Sequence, residues 1–292
     1  EVEKWKQVLE QMGHNVFYCA GNNDQNNIFT ISELSFEVPL TKKILHNSTV
    51  KLADYKNKAQ LKSDIFSQAD KIKPQLMQFI VKYNIDILIP NNLLSVGYNI
   101  PAMVALSELI KEEQIPTISH NHDFYFEDSD EVHPTCQMVW DILDKYSTPD
   151  RGWVINLVIN KIAKEELKKR TGIEAKIVPN VFDFSQNVWS RDEYNKDFRQ
   201  EIGIKKNDLM FLQATRILDR KGIETAIELI AELEKPDNRE KLYGRLYDGR
   251  EFTHKDDIIL VMSGYLESFG ISGSYFDNLN KKAQKLGVNL KY

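Results

Sequence analysis

Arg216, Arg220 and Lys221 fall within six residues, directly after the apolar run Met210-Phe211-Leu212-Gln213 and directly before Gly222. Ile223, Ala226, Ile227 and Ile230 then recur at helical spacing. The segment reads as strand, cationic turn, helix. In an open α/β sheet, ligands bind beyond the carboxyl ends of the strands, where helix N-termini also converge. Cations in a turn at that place suit a multiply charged anion, most simply a diphosphate. The competing reading is a solvated basic turn that only links strand to helix, and spacing alone does not separate the two.

Ser119-His120-Asn121-His122-Asp123-Phe124 closes another short apolar run, Pro116 to His120. Two His and an Asp in four residues can serve as metal ligands, as an acid–base set, or as hydrogen-bonders to sugar hydroxyls. Metal ligation suits them least, because alternate strand residues diverge and no further Cys or Glu stands at ligand spacing. Capping of the strand and turn is the structural alternative. Val178-Pro179-Asn180-Val181-Phe182-Asp183 and Ile89-Pro90-Asn91-Asn92-Leu93-Leu94-Ser95 are two more polar turns after apolar runs. Asn and Asp in such turns often bond only local backbone. Four polar clusters at carboxyl strand ends, in two similar domains, imply one ligand site in the cleft between them. Other charges carry less. Glu224 and Glu232 read as exposed on the helix after the cationic turn, Glu267 is followed eight residues on by Tyr275 rather than Glu, and the Lys161 to Arg170 charges read as a solvated helix face. No nucleophile elbow and no Walker-type glycine loop is present.

The elements that must position these groups alternate. A helix over 1–12 carries Val2, Trp5, Val8, Leu9 and Met12 on one face, and a strand follows over 14–20. Residues 22–57 read as an elaborated loop region. A long helix over 64–83 contains Pro74, which predicts a kink or break. Strands are expected at 85–90, 116–120, 153–158 and 175–178, with helices over 101–113 and 161–170. Residues 185–205 read as linker plus a lead-in helix. Alternation then restarts with strand 209–214, helix 222–234, strand 258–262 and helix 275–286. This is the pattern of two doubly wound, Rossmann-like α/β domains, 1–185 and 186–292. Glu1 lies already inside a helix and Asn289 to Tyr292 reads as the entry to a strand, so both ends are expected to be cut.

The 292 residues, 42% hydrophobic and 28% charged, suit a globular protein with ample core. A net charge of −5 argues against a general nucleic-acid binder. Cys19 and Cys136 stand far apart without metal-ligand spacing and read as reduced thiols of a cytoplasmic protein. No apolar run approaches the roughly 20 residues of a membrane span, which leaves room only for peripheral membrane contact.

Taken in order, these segments resemble the retaining glycosyltransferases of family 4, which have the two-domain GT-B fold. KQVLEQMGHNVFYCAG resembles the family's first helix and the Gly-His leading into its second strand, and SHNHDF resembles its acceptor-side His-Asp motif. VPNVFD resembles its Pro-Asn-Gly-Val-Asp turn, and ATRILDRKGIETAIELI its donor-side Arg and Lys segment. One subgroup, with Q-P-T-R and H-D-F-Y-W-E-R segments, is similar to QATR and HDFYFED here. The chain departs where Val181 replaces the turn glycine and Phe126-Glu127-Asp128 replaces Trp-Glu-Arg. By the same resemblance, the family's glycine-rich loop and first strand would lie upstream of Glu1, and its paired-glutamate segment beyond Tyr292.

The resemblance implies transfer of a sugar from a nucleoside diphosphate sugar to an acceptor hydroxyl, with retention of anomeric configuration. Arg216 and Lys221, assisted by Arg220, would hold the donor diphosphate. His122 and Asp123 would stand at the reacting sugar, with Asn180 and Asp183 shaping the cleft. Asn91, Asn92 and His120 join the acceptor side on strand-end position. No cofactor and no metal is expected, since the cations neutralise the leaving group. Alternatives are a nucleotide-sugar epimerase or phosphorylase on the same fold, and a non-catalytic or incomplete sugar-nucleotide-binding chain.

Overall fold

A computed structural model describes residues 2–22, 28–127, 133–182, 184–185, 188–265 and 272–292. The chain divides into two compact units, Glu1–Phe184 and Ser185–Tyr292. Both are α/β.

The N-terminal unit runs α1 (Val2–Gln11), β1 (Tyr18–Ala20), β2 (Ile28–Thr30), α2 (Pro39–Thr49), α3 (Lys58–Tyr83), α4 (Ile100–Glu113), β3 (Thr117–Asn121), α5 (Gln137–Tyr146), β4 (Val154–Val158), α6 (Lys161–Thr171) and β5 (Ala175–Ile177). The strands β3, β4 and β5 form a parallel sheet in that order, with Thr117 opposite Val154 and Asn156 opposite Ala175. Strands β1 and β2 form a separate parallel pair. α4 is the centre of the core. Met103, Val104, Ala105 and Ile110 are fully buried, and the helix packs on α3. Asn99 caps α4 by accepting from the Ala102 N–H at 3.1 Å, and Pro101 fits its first turn, where no N–H is needed.

Several expected elements differ from the observed ones. The apolar run 85–90 is not a continuous strand, but it pairs with β3 through parallel bridges at Leu88–Thr117 and Asn91–His120, with Ile118 N–H donating to Leu88 O at 2.8 Å and His120 N–H to Pro90 O at 3.0 Å. Ile87 lines a cavity and is half exposed rather than interior. The expected strand 14–20 shortens to β1, and α1 buries none of its residues. Within 22–57, β2 and α2 are present. The polar residues Asn47, Ser48 and Thr49 are buried, so a hydropathy pattern hides that helix. Asn47 anchors the stretch by accepting from the N–H groups of Ala53 and Asp54, each at 2.9 Å. α3 begins earlier than expected, at an Asn57 cap, and continues through Pro74. Pro74 stands on the exposed face, where water can satisfy the carbonyl it frees. α5 is a further helix not anticipated; Val139, Ile142, Leu143 and Tyr146 form its buried stripe.

The C-terminal unit runs α7 (Phe198–Glu201), β6 (Leu209–Gln213), α8 (Ile223–Leu233), α9 (Pro236–Glu240), β7 (Gly244–Arg245), β8 (Glu251–Phe252), β9 (Ile258–Met262), α10 (Ser272–Leu286) and β10 (Asn289–Lys291). The parallel sheet has the order β10-β9-β6, with Leu209 opposite Ile258. β9 is buried along its whole length, as the central strand of a parallel sheet should be. The β7–β8 hairpin and α9 were not expected from the sequence. At the amino end of the sheet, fully buried Asp208 accepts from the N–H groups of Lys205 at 2.8 Å and Asp257 at 2.9 Å. That carboxylate ties β6 to the loop entering β9.

Candidate functional site

The N-terminal unit gathers five of the expected residues into one hydrogen-bonded cluster. The register that pairs Asn91 with His120 places the turn after Ile89-Pro90 beside the end of β3. Asn91 Oδ1 lies 3.0 Å from His120 Nδ1 and 3.2 Å from His122 Nε2, and those two ring nitrogens are 3.3 Å apart. Asn91 Oδ1 can accept from either ring, and which nitrogen donates follows from the tautomers of the two histidines. Asn92 adopts left-handed backbone, φ 58°, which Asn tolerates better than most residues. Its Oδ1 accepts from the His122 N–H at 3.0 Å, the Asp123 N–H at 3.2 Å and the Ser95 hydroxyl at 3.0 Å. Its Nδ2 donates to Asp123 Oδ2 at 3.4 Å. One asparagine thus fixes the backbone that carries His122 and Asp123.

Strand alternation separates two polar layers. His120 is buried, with the Trp5 ring 4.8 Å away, while His122 is half-buried and Asp123 exposed. On the other side of β3, Ser119 Oγ donates to Asn121 Oδ1 at 2.9 Å, and Asn121 reaches Asn156 of β4. The segment after Asp123 is anchored by apolar packing. Phe124 and Phe126 stack 5.0 Å apart, the Tyr125 N–H donates to Ser95 O, and the Tyr125 hydroxyl donates to Asp144 of α5 at 2.5 Å. Burial pushes the Tyr125 hydroxyl well above the usual phenol range, and the Asp144 bond adds to it.

Glu127 is a group that the sequence reading left without a role. Its carboxyl is held above the usual range by burial, against a Phe124 backbone hydrogen bond, with the negative charges of Asp123 and Glu166 adding to the rise. The available signal was its place four residues after Asp123 in the same motif. A cavity of about 1310 Å³ abuts the cluster. It is bounded by Asn91, His120 and Trp5 and continues between α1 and the β1 and 85–90 segments. Cys19 lines it, and burial raises that thiol to about 12. Among the described residues, no group of three or more His, Cys, Asp or Glu side chains converges as a metal site would.

Asn180 is not part of this cluster. It stands exposed beyond β5. Asp183 lies outside the described residues.

The C-terminal unit carries the cationic turn at the carboxyl end of β6. Arg216 and Lys221 are half-buried and Arg220 is exposed. Asp219–Lys221 is a single 3-10 turn, and Gly222, at φ 62°, redirects the chain into α8. Gln213 Nε2 donates to Thr215 Oγ1 at 3.1 Å and to Lys221 O at 3.4 Å, closing the turn onto the strand. Gly222 offers no side-chain cap to α8, so the first N–H groups of that helix can serve an anion. Glu224 was expected to be exposed; it is half-buried and accepts from the Tyr275 hydroxyl at 2.8 Å. That bond joins the first turns of α8 and α10; burial raises the Tyr275 hydroxyl above the usual range, and the Glu224 bond adds to the rise. Glu232 is exposed and pairs with Lys235.

No family model matches the chain. Two curated proteins align along essentially all of it. The mannosylglucosylglycerate synthase of Petrotoga mobilis is 32% identical over 291 residues, which is 100% of this chain and 65% of that protein. The mannosylglucosylglycerate synthase of Thermotoga maritima is 33% identical over 290 residues, covering 99% of this chain and 64% of that protein. The chain therefore spans slightly less than two thirds of the length of these relatives. Among the described residues, no helix is long and apolar enough to cross a membrane.

Proposed function

We propose that the chain forms part of a glycosyltransferase that moves a hexosyl group from a nucleoside diphosphate sugar to a sugar hydroxyl. The relatives' name, mannosylglucosylglycerate synthase, supports a mannosyl group as the one transferred and a glucosylglycerate as the acceptor. The observation that carries the reading is the Arg216–Lys221 turn at the carboxyl end of β6, which leads into a helix without a side-chain cap. In this reading Arg216 and Lys221 grip the diphosphate, and Arg220 adds charge at the rim. The bond from the anomeric carbon to the phosphate oxygen breaks, and its electron pair leaves with the diphosphate. The acceptor oxygen bonds to the same carbon. Its proton passes to the departing phosphate oxygen on the same face of the sugar, which gives retention. The cations neutralise the leaving charge, and no role falls to a metal.

The cluster of Asn91, Asn92, His120, His122 and Asp123 is assigned to the acceptor and the reacting sugar. His122 and Asp123 supply hydrogen bonds to hydroxyls, and Asn92 holds both in place. Family 4 membership and the GT-B fold belong to the same proposal. A second reading is binding of sugar nucleotide without turnover. The test is incubation with UDP-, GDP- and ADP-hexoses, with and without glucosylglycerate, followed by mass spectrometry and proton NMR. A new glycoside of retained configuration is expected. A new sugar epimer from donor alone indicates an epimerase, and nucleotide binding without product indicates the second reading.

A further inference from the structure

The carboxyl ends of β6 and β9 cross backbone on backbone, at Gly264. A Cβ built on Gly264 would stand 1.7 Å from the Thr215 carbonyl oxygen, 2.6 Å from its carbonyl carbon and 3.0 Å from Arg216 Cα. All three atoms are main chain, so no rotamer change relieves the overlap. The φ of Gly264 is not in the left-handed region, so space rather than backbone angle requires glycine there. One residue further along each chain, the Ile217 N–H donates to Tyr265 O at 3.3 Å, and Ile217 is fully buried. The turn that carries Arg216 therefore rests on the Gly264 main chain from above and is fastened by Ile217 beside it.

We infer that Gly264 is a positioning residue of the anion site: the bare main chain at the end of β9 sets where Arg216 stands relative to Lys221 and the α8 N-terminus. The inference rests on the reading of that turn as the diphosphate site. A methyl group at Gly264 must part its main chain from Thr215 and Arg216 by more than about 1 Å, a misplacement that can cost about a hundredfold at a preorganised site. Lys221 is also tied back to β6, its carbonyl accepting from Gln213 Nε2, so it moves less than Arg216. The turn would then open between its two half-buried cations.

The test is a double-mutant cycle in nucleoside diphosphate affinity, measured calorimetrically on the whole chain with UDP, GDP and ADP. Gly264→Ala is expected to weaken the bound nucleotide at least tenfold while leaving the affinity for the corresponding nucleoside within twofold. In an Arg216→Ala background the same substitution should change affinity less than twofold, because the group it displaces is already absent. Equal losses in the two backgrounds, or loss of nucleoside and nucleotide affinity alike, would overturn the inference and leave the site reading standing. Wild type that binds none of the three nucleotides would overturn both. Should Gly264→Ala not fold, amide exchange of wild type decides. Saturating nucleotide should slow exchange at Ile217, whose N–H donates to Tyr265 O, at least tenfold, and unchanged exchange there would overturn the inference.

Discussion

Replacing Asn92 by alanine tests whether one side chain holds the His122–Asp123 backbone. The change removes an acceptor shared by two backbone N–H groups and the Ser95 hydroxyl, and a donor to Asp123. Each such bond contributes about 0.5–1.5 kcal/mol net. His122 is half-buried and Asp123 exposed, so water recovers part of the loss, and about 1–2 kcal/mol remains. Alanine must also adopt φ 58°, at a further cost of about 1 kcal/mol. The total is about 2–3 kcal/mol, or a fall of about 5–10 °C in the melting temperature of a unit this size. Asn92→Gly loses the same bonds without the Cβ strain and should cost only about 1–2 kcal/mol. Urea unfolding of wild type and both variants, followed by circular dichroism and tryptophan fluorescence, measures the differences. An alanine variant within about 0.5 kcal/mol of wild type, or a glycine variant less stable than alanine, would refute the reasoning.

Other substitutions probe the surroundings. Glu127→Gln should stabilise the chain at neutral pH. The folded carboxyl is raised above its unfolded value, so the folded state binds more protons between the two, and stability falls as pH rises through that window. Thermal melts should show the variant ahead of wild type at pH 7 and level with it near pH 4; the opposite order would contradict the assignment. Asp208→Ala strands two backbone N–H groups in a fully buried site and should cost roughly 3 kcal/mol in urea unfolding, with Asp208→Asn recovering part of it. Tyr125→Phe removes the hydroxyl that Asp144 accepts and should cost about 1.5–3 kcal/mol in the same assay, since the acceptor is charged.

The α/β character was legible because β3, β4, β6 and β9 are short apolar runs and α3 and α8 keep helical spacing. What escaped has identifiable causes. α2 buries Asn47, Ser48 and Thr49, so its inward face looks polar. The 85–90 run is apolar enough for an interior strand, yet its pairing depends on long-range register with β3 that no local pattern encodes. The polar turns could be placed at strand ends from sequence. That Asn91 bridges two histidines 29 and 31 residues away, and that Glu224 meets Tyr275 51 residues away, required the folded chain. Gly264 gave no local signal at all, because the constraint on it is the main chain of Thr215 and Arg216. Asn180 is a motif residue that the fold leaves exposed beyond β5.

The most direct measurement is calorimetric titration of the chain with UDP, GDP and ADP, on wild type and on the Arg216→Ala, Lys221→Ala double variant. The account predicts saturable binding of one nucleotide by wild type and at least a tenfold loss in the double variant. Equal affinity in the two proteins, or no binding of any of the three by folded wild type, would contradict it.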